Sequence, residues 1–180
     1  MTIQEFMQYL LENGAYKVGL VDVVDITFDP VYRSYCEANS CGHYGKSWMC
    51  PPDAGDIHDL IAHAKEFEKA IVYQTVGELE DSYDIEGMQD ASREHNKFTQ
   101  KIQQDFVAVP HERALHLGAG GCHVCQVCAK MTNEPCRFPD KALCSLETYG
   151  IGVSDLANIS GMNYINGKNT VTYFGAVFFI

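Results

Sequence analysis

Apolar side chains recur at helical spacing near the start of the chain, between residues that are typical of helix ends. Thr2, followed by Glu5 three residues later, is a capping box, and Gly14 is typical of a helix C-terminus. The apolar positions between them are Ile3, Phe6, Met7 and Leu10. Because these positions lie on one side of a helix, they predict an amphipathic helix that packs on a core.

Three later segments show the same helical spacing. Asp53 is a suitable N-cap for a second helix, Pro110 ends a long helix over 88–107, and Ser154 is a suitable N-cap for a short last helix. The apolar face of the second helix consists of Ile57, Leu60, Ile61 and Ala64, and that of the long helix of Ala91, His95, Phe98, Ile102 and Phe106. Their period of three to four residues distinguishes these segments from strands.

Runs rich in valine, isoleucine and aromatic residues separate the predicted helices. They predict strands over 15–28, 70–76, 114–118 and 170–180. Asn166-Gly167, before the last run, is typical of a tight type I′ hairpin turn. This order of elements predicts an α+β fold, with an α/β fold as the alternative. A sheet of about four strands, covered by helices, forms one domain over residues 1–180 and carries two cysteine-rich loops.

The composition narrows the class of protein. With 180 residues, 46% of them hydrophobic, the chain can bury a core of its own. A net charge of −11 repels polyanions, so we do not expect non-specific nucleic-acid binding. No stretch approaches the roughly 20 apolar residues that span a membrane, and the N-terminus lacks the basic start of a signal peptide. We therefore expect a cytoplasmic protein without a membrane or nucleic-acid partner.

The cysteine content is the most informative feature of the composition. The chain contains eight cysteines, which is a high number for a cytoplasmic protein of this length. Disulfides rarely persist in a reducing compartment, so metal binding is the favoured interpretation and a disulfide framework is the alternative.

The more specific cysteine group lies in the second half of the chain. Cys122, Cys125 and Cys128 follow one another at C-x2-C spacing, and Cys136 follows after seven residues. Bacterial ferredoxins use the same triple spacing around a [4Fe–4S] cluster. A tetrahedral zinc site needs only one C-x2-C pair from each of two loops, so a third cysteine is crowded there. The spacing favours an iron–sulfur cluster over zinc.

A second, less specific group is expected in the loop over 36–52. Cys36, Cys41 and Cys50 supply three thiolates, and Cys144 is a candidate for the fourth ligand or a small buried core residue. In ferredoxins the cysteine that precedes a proline serves the other cluster, and here Cys50 precedes Pro51. The alternative assignment therefore groups Cys50 with Cys122, Cys125 and Cys128. It leaves Cys36, Cys41, Cys136 and Cys144 together.

Several side chains near the cysteines suit supporting roles. His43 and His123 are candidates for a ligand or a proton donor, although local hydrogen bonding is the more common role of such histidines. Lys46 and Arg137 can offset the negative charge of a cluster, and Trp48 can shield one from water. We find no P-loop, no dinucleotide-binding glycine motif and no Ser/His/Asp pattern, so hydrolase chemistry has no support.

The motifs around the cysteines resemble a known family. They read CGHYGKSWMCPP at 41–52, GCHVCQVC at 121–128, PCRFP at 135–139 and SLETYGI at 145–151. Together they resemble the cysteine-rich "predicted metal-binding protein" family, domain of unknown function 2284, whose members occur mainly in anaerobic bacteria and archaea. The resemblance covers nearly the whole chain and implies a metal or iron–sulfur centre.

Carried over by position, the resemblance also implies a ligand set. Its members are Cys36, Cys41, Cys50, Cys122, Cys125, Cys128 and Cys136. In the family the position of Cys144 often holds another residue. This implies that Cys144 is not a ligand, and it strengthens the alternative of a three-cysteine cluster with one open iron.

Three functions are consistent with these patterns. The first is a redox protein that transfers electrons between [4Fe–4S] clusters and a partner enzyme. The second is an enzyme in which a three-cysteine cluster leaves one iron open as a Lewis acid. The third is a structural zinc protein or a metal-handling protein. The ferredoxin-like spacing and the acidic composition favour the first function over the other two.

Overall fold

A four-stranded antiparallel sheet forms the centre of the molecule, for which the computed structural model describes residues 1–180. The strands are β1 (Lys17–Asp22), β2 (Lys69–Glu78), β3 (Ala114–Leu117) and β4 (Thr170–Phe179), in the spatial order β1-β2-β4-β3. The helices are α1 (Ile3–Asn13), α2 (Tyr32–Glu37), α3 (Ile57–Ala64), α4 (Ile85–Asp105) and α5 (Val153–Ile159). The predicted α+β fold is confirmed. The antiparallel pairing of all neighbouring strands excludes the α/β alternative.

Both faces of the sheet are covered, because side chains alternate between the faces along each central strand. Ile71 and Tyr73 of β2 belong to the core under α1 and α4, whose side chains Phe6, Leu10, Phe98 and Ile102 pack there. Ala70 and Val72 belong to the opposite core, which contains Ala64 of α3, Leu156 of α5 and the segment around Leu146. None of the helices combines the length and the apolarity needed to cross a bilayer.

The predicted start of the first helix is confirmed, but two other predicted caps are wrong. Thr2 and Glu5 form the reciprocal hydrogen bonds of a capping box. Helix α3 is capped by Asp56, not Asp53, because the Asp56 carboxylate accepts the backbone N–H of His58 at 2.8 Å. Helix α5 begins at Val153, so Ser154 lies inside it, and its N-cap Gly152 provides no side-chain hydrogen bond.

Two predictions about the strands also need correction. The predicted strand over 15–28 ends at Asp22 in the structure, and a 3₁₀ turn follows over Val23–Asp25. The hairpin predicted at Asn166-Gly167 does not form, because no strand precedes it and the segment instead joins α5 to β4. The Asn166 side chain donates hydrogen bonds to the carbonyl of Asn163 and the hydroxyl of Thr172. Local side-chain bonding therefore replaces the hairpin.

A buried polar network joins β2, β3 and α4. The Tyr73 hydroxyl lies 3.0 Å from the Thr99 hydroxyl and 2.7 Å from Nε2 of His116, and Nδ1 of His116 lies 2.9 Å from Oε1 of Gln103. A carbonyl oxygen only accepts, so Nδ1 of His116 donates and its Nε2 accepts the tyrosine proton. Burial lowers the pKa of His116 to about 3. The network is therefore built around a neutral imidazole.

This network predicts loss of stability in mild acid. Burial also lowers the pKa of His95 to about 4, whereas an unfolded histidine has a pKa of about 6.5. Below pH ~6.5 the unfolded chain binds protons that the folded chain does not, so the unfolding free energy falls as the pH falls. We expect the two histidines together to contribute a loss of roughly 3 kcal/mol per pH unit between about pH 6 and pH 4.5.

Denaturant titrations at several pH values check this expectation. His116→Gln should reduce the slope of unfolding free energy against pH by about half of the histidine contribution. His58→Gln replaces an exposed histidine and serves as the control, which should keep the slope of the parent protein. An unchanged slope in His116→Gln would contradict the neutral, buried state of this side chain.

Candidate metal centre

The first cysteine loop covers residues 36–52. Its first residues lie at the end of helix α2, although the whole segment was predicted to be a loop. Cys36 lies in α2, Cys41 lies in the turns that follow, and Cys50 ends the loop. The N–H of Gly45 donates to the carbonyl of Pro51 at 2.8 Å, which closes the loop on itself. Cys36 is half-buried, Cys41 is exposed and Cys50 is buried.

The second cysteine loop leaves the end of β3 and returns past Cys144. The backbone N–H of Gly118 donates to the carbonyl of Cys144 at 2.9 Å, and the N–H of Leu146 donates to the carbonyl of Gly118 at 3.0 Å. Cys144 is thereby held beside the base of the loop that contains Cys122. The chain between Gly118 and Cys144 contains all four cysteines of the specific group.

The two loops are in direct contact. The backbone N–H of Cys122 lies close enough to Sγ of Cys50 to act against the rise in the pKa of that thiol that burial causes. A Cβ atom on Gly121 would lie 3.3 Å from that sulfur, so glycine permits this close approach. Nε1 of Trp48 in the first loop donates to the carbonyl of Glu134 in the second at 2.8 Å. The fold therefore brings together two cysteine groups that are more than 70 residues apart in the sequence (Cys50 and Cys122).

An ion pair between Asp53 and Lys130 also connects the two loops. Nζ of Lys130 lies 2.9 Å from the carboxylate of Asp53 and 4.7 Å from the centre of the Trp48 ring. Both charged side chains are largely buried, so solvent screens this pair less than an exposed pair. Asp53, predicted as a helix cap, thus connects the loops instead.

The four cysteines of the specific group surround one cavity. Cys122, Cys125, Cys128 and Cys136 are all half-buried and line a cavity of about 300 Å³ between the two loops. The remaining wall is largely apolar and includes Trp48, Met131 and Phe138. No three side chains of Cys, His, Asp or Glu converge as ligands of a single metal ion would.

Cys128 has the most favourable surroundings for a thiolate. Burial alone would raise the pKa of this thiol, but the nearby backbone N–H groups of Lys130 and Trp48 act to lower it. The Ser47 hydroxyl and the Arg137 charge act in the same direction, and the net effect lowers the pKa of Cys128. A thiolate is the form of cysteine that binds metal, and these groups stabilise that form of Cys128.

The cysteines of the first loop form a separate neighbourhood. Burial raises the pKa of Cys36 and of Cys50. The three thiols of Cys36, Cys41 and Cys50 lie close enough together that negative charge on Cys41 raises the pKa of the other two. A nearby positive charge, such as that of a metal centre, would favour the thiolate form of Cys36 and Cys50.

Cys144 lies between the two cysteine groups. Burial raises its pKa to about 12, and negative charge on Cys50 and Cys122 acts in the same direction. Its Sγ is 3.9 Å from Sδ of Met49. The side chain packs against the core that contains Leu146 and Leu156. Cys144 thus has the position of a possible fourth ligand and also the packing of a core residue.

Arg33 is a further side chain of this site that the sequence analysis did not identify. Nε and one terminal nitrogen of its guanidinium are buried without a hydrogen-bond partner. Its positive charge acts to lower the pKa of Cys36 and of Cys144, so it lies near both thiols. Arg33 precedes Cys36 by three residues, a spacing that places the two on one helix face. The signal was missed because helix α2 was not predicted.

The predicted supporting residues have different positions. His43 and His123 line the cavity of the specific group together with Lys46, and the two histidines are close enough for their charges to interact. Arg137 donates to the carbonyl of Val127 at 2.9 Å and so braces the loop beside Cys128. Trp48 lines the cavity, as expected for a side chain that shields it.

An antiparallel α+β fold with eight free cysteines in and around two touching loops defines a cysteine-rich protein of the metal-binding class. The family model for predicted metal-binding proteins, DUF2284, matches residues 19–179, and the chain belongs to this family. No curated protein and no solved structure matches the chain. The resemblance seen in the sequence motifs is therefore confirmed at the level of the family.

Proposed function

We propose that the protein binds [4Fe–4S] clusters and transfers single electrons to a partner enzyme. Cys122, Cys125, Cys128 and Cys136 are the ligands of the first cluster in this proposal. The observation that carries it is the cavity of about 300 Å³ that these four thiols line together. Cys136 lines the same cavity as the C-x2-C-x2-C group, which supports this assignment over the alternative one that replaces Cys136 with Cys50.

The size of the cavity favours a cluster over one zinc ion. A cavity needs only about 10–15 Å³ to hold one water molecule, whereas this cavity has a volume of about 300 Å³. Zinc draws four sulfurs to about 2.3 Å around one point, whereas in a cubane each iron takes its own thiolate. Four thiols that line one cavity together fit the second arrangement, because each iron needs its own thiolate. The Zn alternative requires the loops to contract around the ion.

Groups in the chain itself are suited to tune such a centre. A [4Fe–4S] cluster supplies one-electron redox chemistry, and hydrogen bonds to its sulfurs and burial set its potential. The backbone N–H groups near Cys128 and the Arg137 charge stabilise negative charge on that ligand. Trp48 and Phe138 reduce the access of water to the cavity.

The second site in this proposal uses Cys36, Cys41 and Cys50. Two unpartnered nitrogens of Arg33 lie near Cys36 and Cys144, so a buried positive charge is available to offset an anionic centre. If Cys144 does not bind, one iron of this cluster remains open. A second candidate function then follows, namely an enzyme in which that iron acts on a substrate as a Lewis acid. A large groove beside Cys144 favours this candidate.

Metal analysis of protein prepared without oxygen tests the proposal. We expect about four irons and four acid-labile sulfides per chain for each bound cluster, with absorbance at about 400 nm that dithionite bleaches. Electron transfer to an acceptor protein would then distinguish the redox function from the enzyme. Zinc without acid-labile sulfide would reject both, and a ligand from solution on one iron would favour the enzyme.

A further inference from the structure

A large groove lies next to the cysteine cavity, between helix α4 and the second cysteine loop. Its volume is about 930 Å³, which is near the upper end of the ~300–1,000 Å³ typical of small-molecule sites. One wall is the polar face of α4, and the other is the segment over 118–126. Lys141, Leu143 and Cys144 complete the lining. The groove is thus large enough for a metabolite and borders three thiols, those of Cys122, Cys125 and Cys144.

The charges in the groove are the reverse of those of the whole chain. The chain has 24 acidic and 13 basic residues, yet no aspartate or glutamate lines the groove. Four basic side chains do so, namely Arg93, Lys97, Lys101 and Lys141. A concave site that concentrates one sign of charge attracts ligands of the opposite sign. The groove is therefore an anion-attracting site on an otherwise acidic protein.

Arg93, Lys97 and Lys141 can turn toward a ligand, whereas Lys101 is held by the Tyr9 hydroxyl and Asp105. Arg93, Lys97 and Lys101 pair with acidic residues within their own helix, and both partners in each pair are exposed by a third or more. Exposed pairs of this kind contribute little to stability, so an anion can compete for the cations. Lys141 has no acidic partner, and its ammonium group lies 5.7 Å from the centre of the Phe138 ring.

Polar groups in the groove add a preference for a hydrogen-bond donor. Nε2 of Gln100 donates to the carbonyl of Lys141 at 2.9 Å, and this fixes the orientation of the amide. Its Oε1 is then buried without a partner. An unpaired buried acceptor costs free energy that a ligand hydroxyl would recover. Ser92 and Asn96 lie on the same face of α4 as Gln100 and also line the groove.

We propose that this groove binds a small organic anion that carries a hydroxyl group, such as a hydroxycarboxylate or a phosphate ester. Cys122 and Cys125 line both the groove and the cysteine cavity, so the bound anion would lie against the loop of the first cluster. The proposal that the anion binds depends only on the groove. The role of the anion as a substrate rests on the proposed cluster function.

Titration calorimetry with citrate at low salt tests the binding, using protein with its metal content measured beforehand. Lys97→Gln/Lys141→Gln removes two cations of the groove and should weaken citrate binding about tenfold or more. Lys17→Gln/Lys168→Gln removes two exposed cations elsewhere and should leave the affinity unchanged. Tricarballylate, which lacks the citrate hydroxyl, should bind more weakly than citrate to the parent protein. In Gln100→Leu that difference should disappear.

Three results would overturn the proposal. They are no citrate binding at millimolar concentration, equal weakening in both double variants, and equal affinity for citrate and tricarballylate in the parent protein. The metal measurement separates this failure from that of the cluster proposal. If the protein contains its full iron and sulfide but binds no citrate, only the groove proposal is overturned. If the protein binds citrate but contains no iron, only the cluster proposal is overturned.

Discussion

Cys125→Ala is expected to lose the iron and the acid-labile sulfide of one cubane, about four of each per chain. Cys125 lines the cavity between the two loops and is one of the four thiols assigned to the first cluster. Alanine offers no donor atom, so the iron that Cys125 would hold has no protein ligand and the cubane should not survive isolation of the protein. The absorbance at about 400 nm should fall in proportion to the iron.

The neighbouring residue provides a matched control. Gln126 is exposed in the same loop and has no assigned ligand role, so Gln126→Ser should retain the iron and sulfide of the parent protein. Cys144→Ser is the informative second variant. If its iron content stays at the parent value, Cys144 is not an essential ligand and the second site keeps an open iron. Full metal content in Cys125→Ala would contradict the assignment of the first cluster.

Gly175→Ala is expected to lower the free energy of unfolding by about 3 kcal/mol or more. Gly175 of β4 pairs directly with Tyr73 of β2, in the centre of the sheet. A Cβ atom at this position would overlap the ring and the hydroxyl of Tyr73. Tyr73 cannot move aside cheaply, because it is fully buried and its hydroxyl bonds to Thr99 and His116.

Denaturant unfolding measures this effect, with a second glycine as reference. A Cβ atom on Gly118 would meet only ordinary contacts, the nearest at 3.7 Å, so Gly118→Ala should change stability by less than about 1 kcal/mol. Tyr73→Leu/Gly175→Ala should be more stable than the sum of the two single changes implies, because the smaller side chain leaves room for the new methyl group. Equal stability of Gly175→Ala and Gly118→Ala would contradict the close contact.

The groove and the cysteine cavity suggest how the two proposals are connected. Cys122 and Cys125 line both, so one loop separates the proposed cluster from the proposed anion. A thiolate-bound cluster and an organic anion repel each other, and the basic side chains of α4 and Lys141 would offset that repulsion. Cys144, the candidate for the missing ligand of the second site, also lines the groove, so the groove gives the second candidate function, an enzyme, a place for its substrate.

The sequence by itself determined the elements with strong periodicity. The capping box at Thr2, the long amphipathic helix that ends before Pro110 and the strand runs over 70–76 and 170–180 each specify structure through neighbouring residues. The spacing of Cys122, Cys125 and Cys128 is equally local, since it describes how one short loop can wrap around a centre. These features led to the correct fold class and family.

Only the tertiary structure decided the features that depend on distant contacts. Helix α2 is six residues long and has no buried side chain of its own, so no apolar period marked it, and Arg33 was missed with it. Asp53 was predicted as a cap because local rules cannot foresee a lysine 77 residues away. The contact of Cys50 with Cys122, the close packing of Gly175 on Tyr73 and the basic groove beside α4 arise likewise from chain segments that meet only in the folded protein.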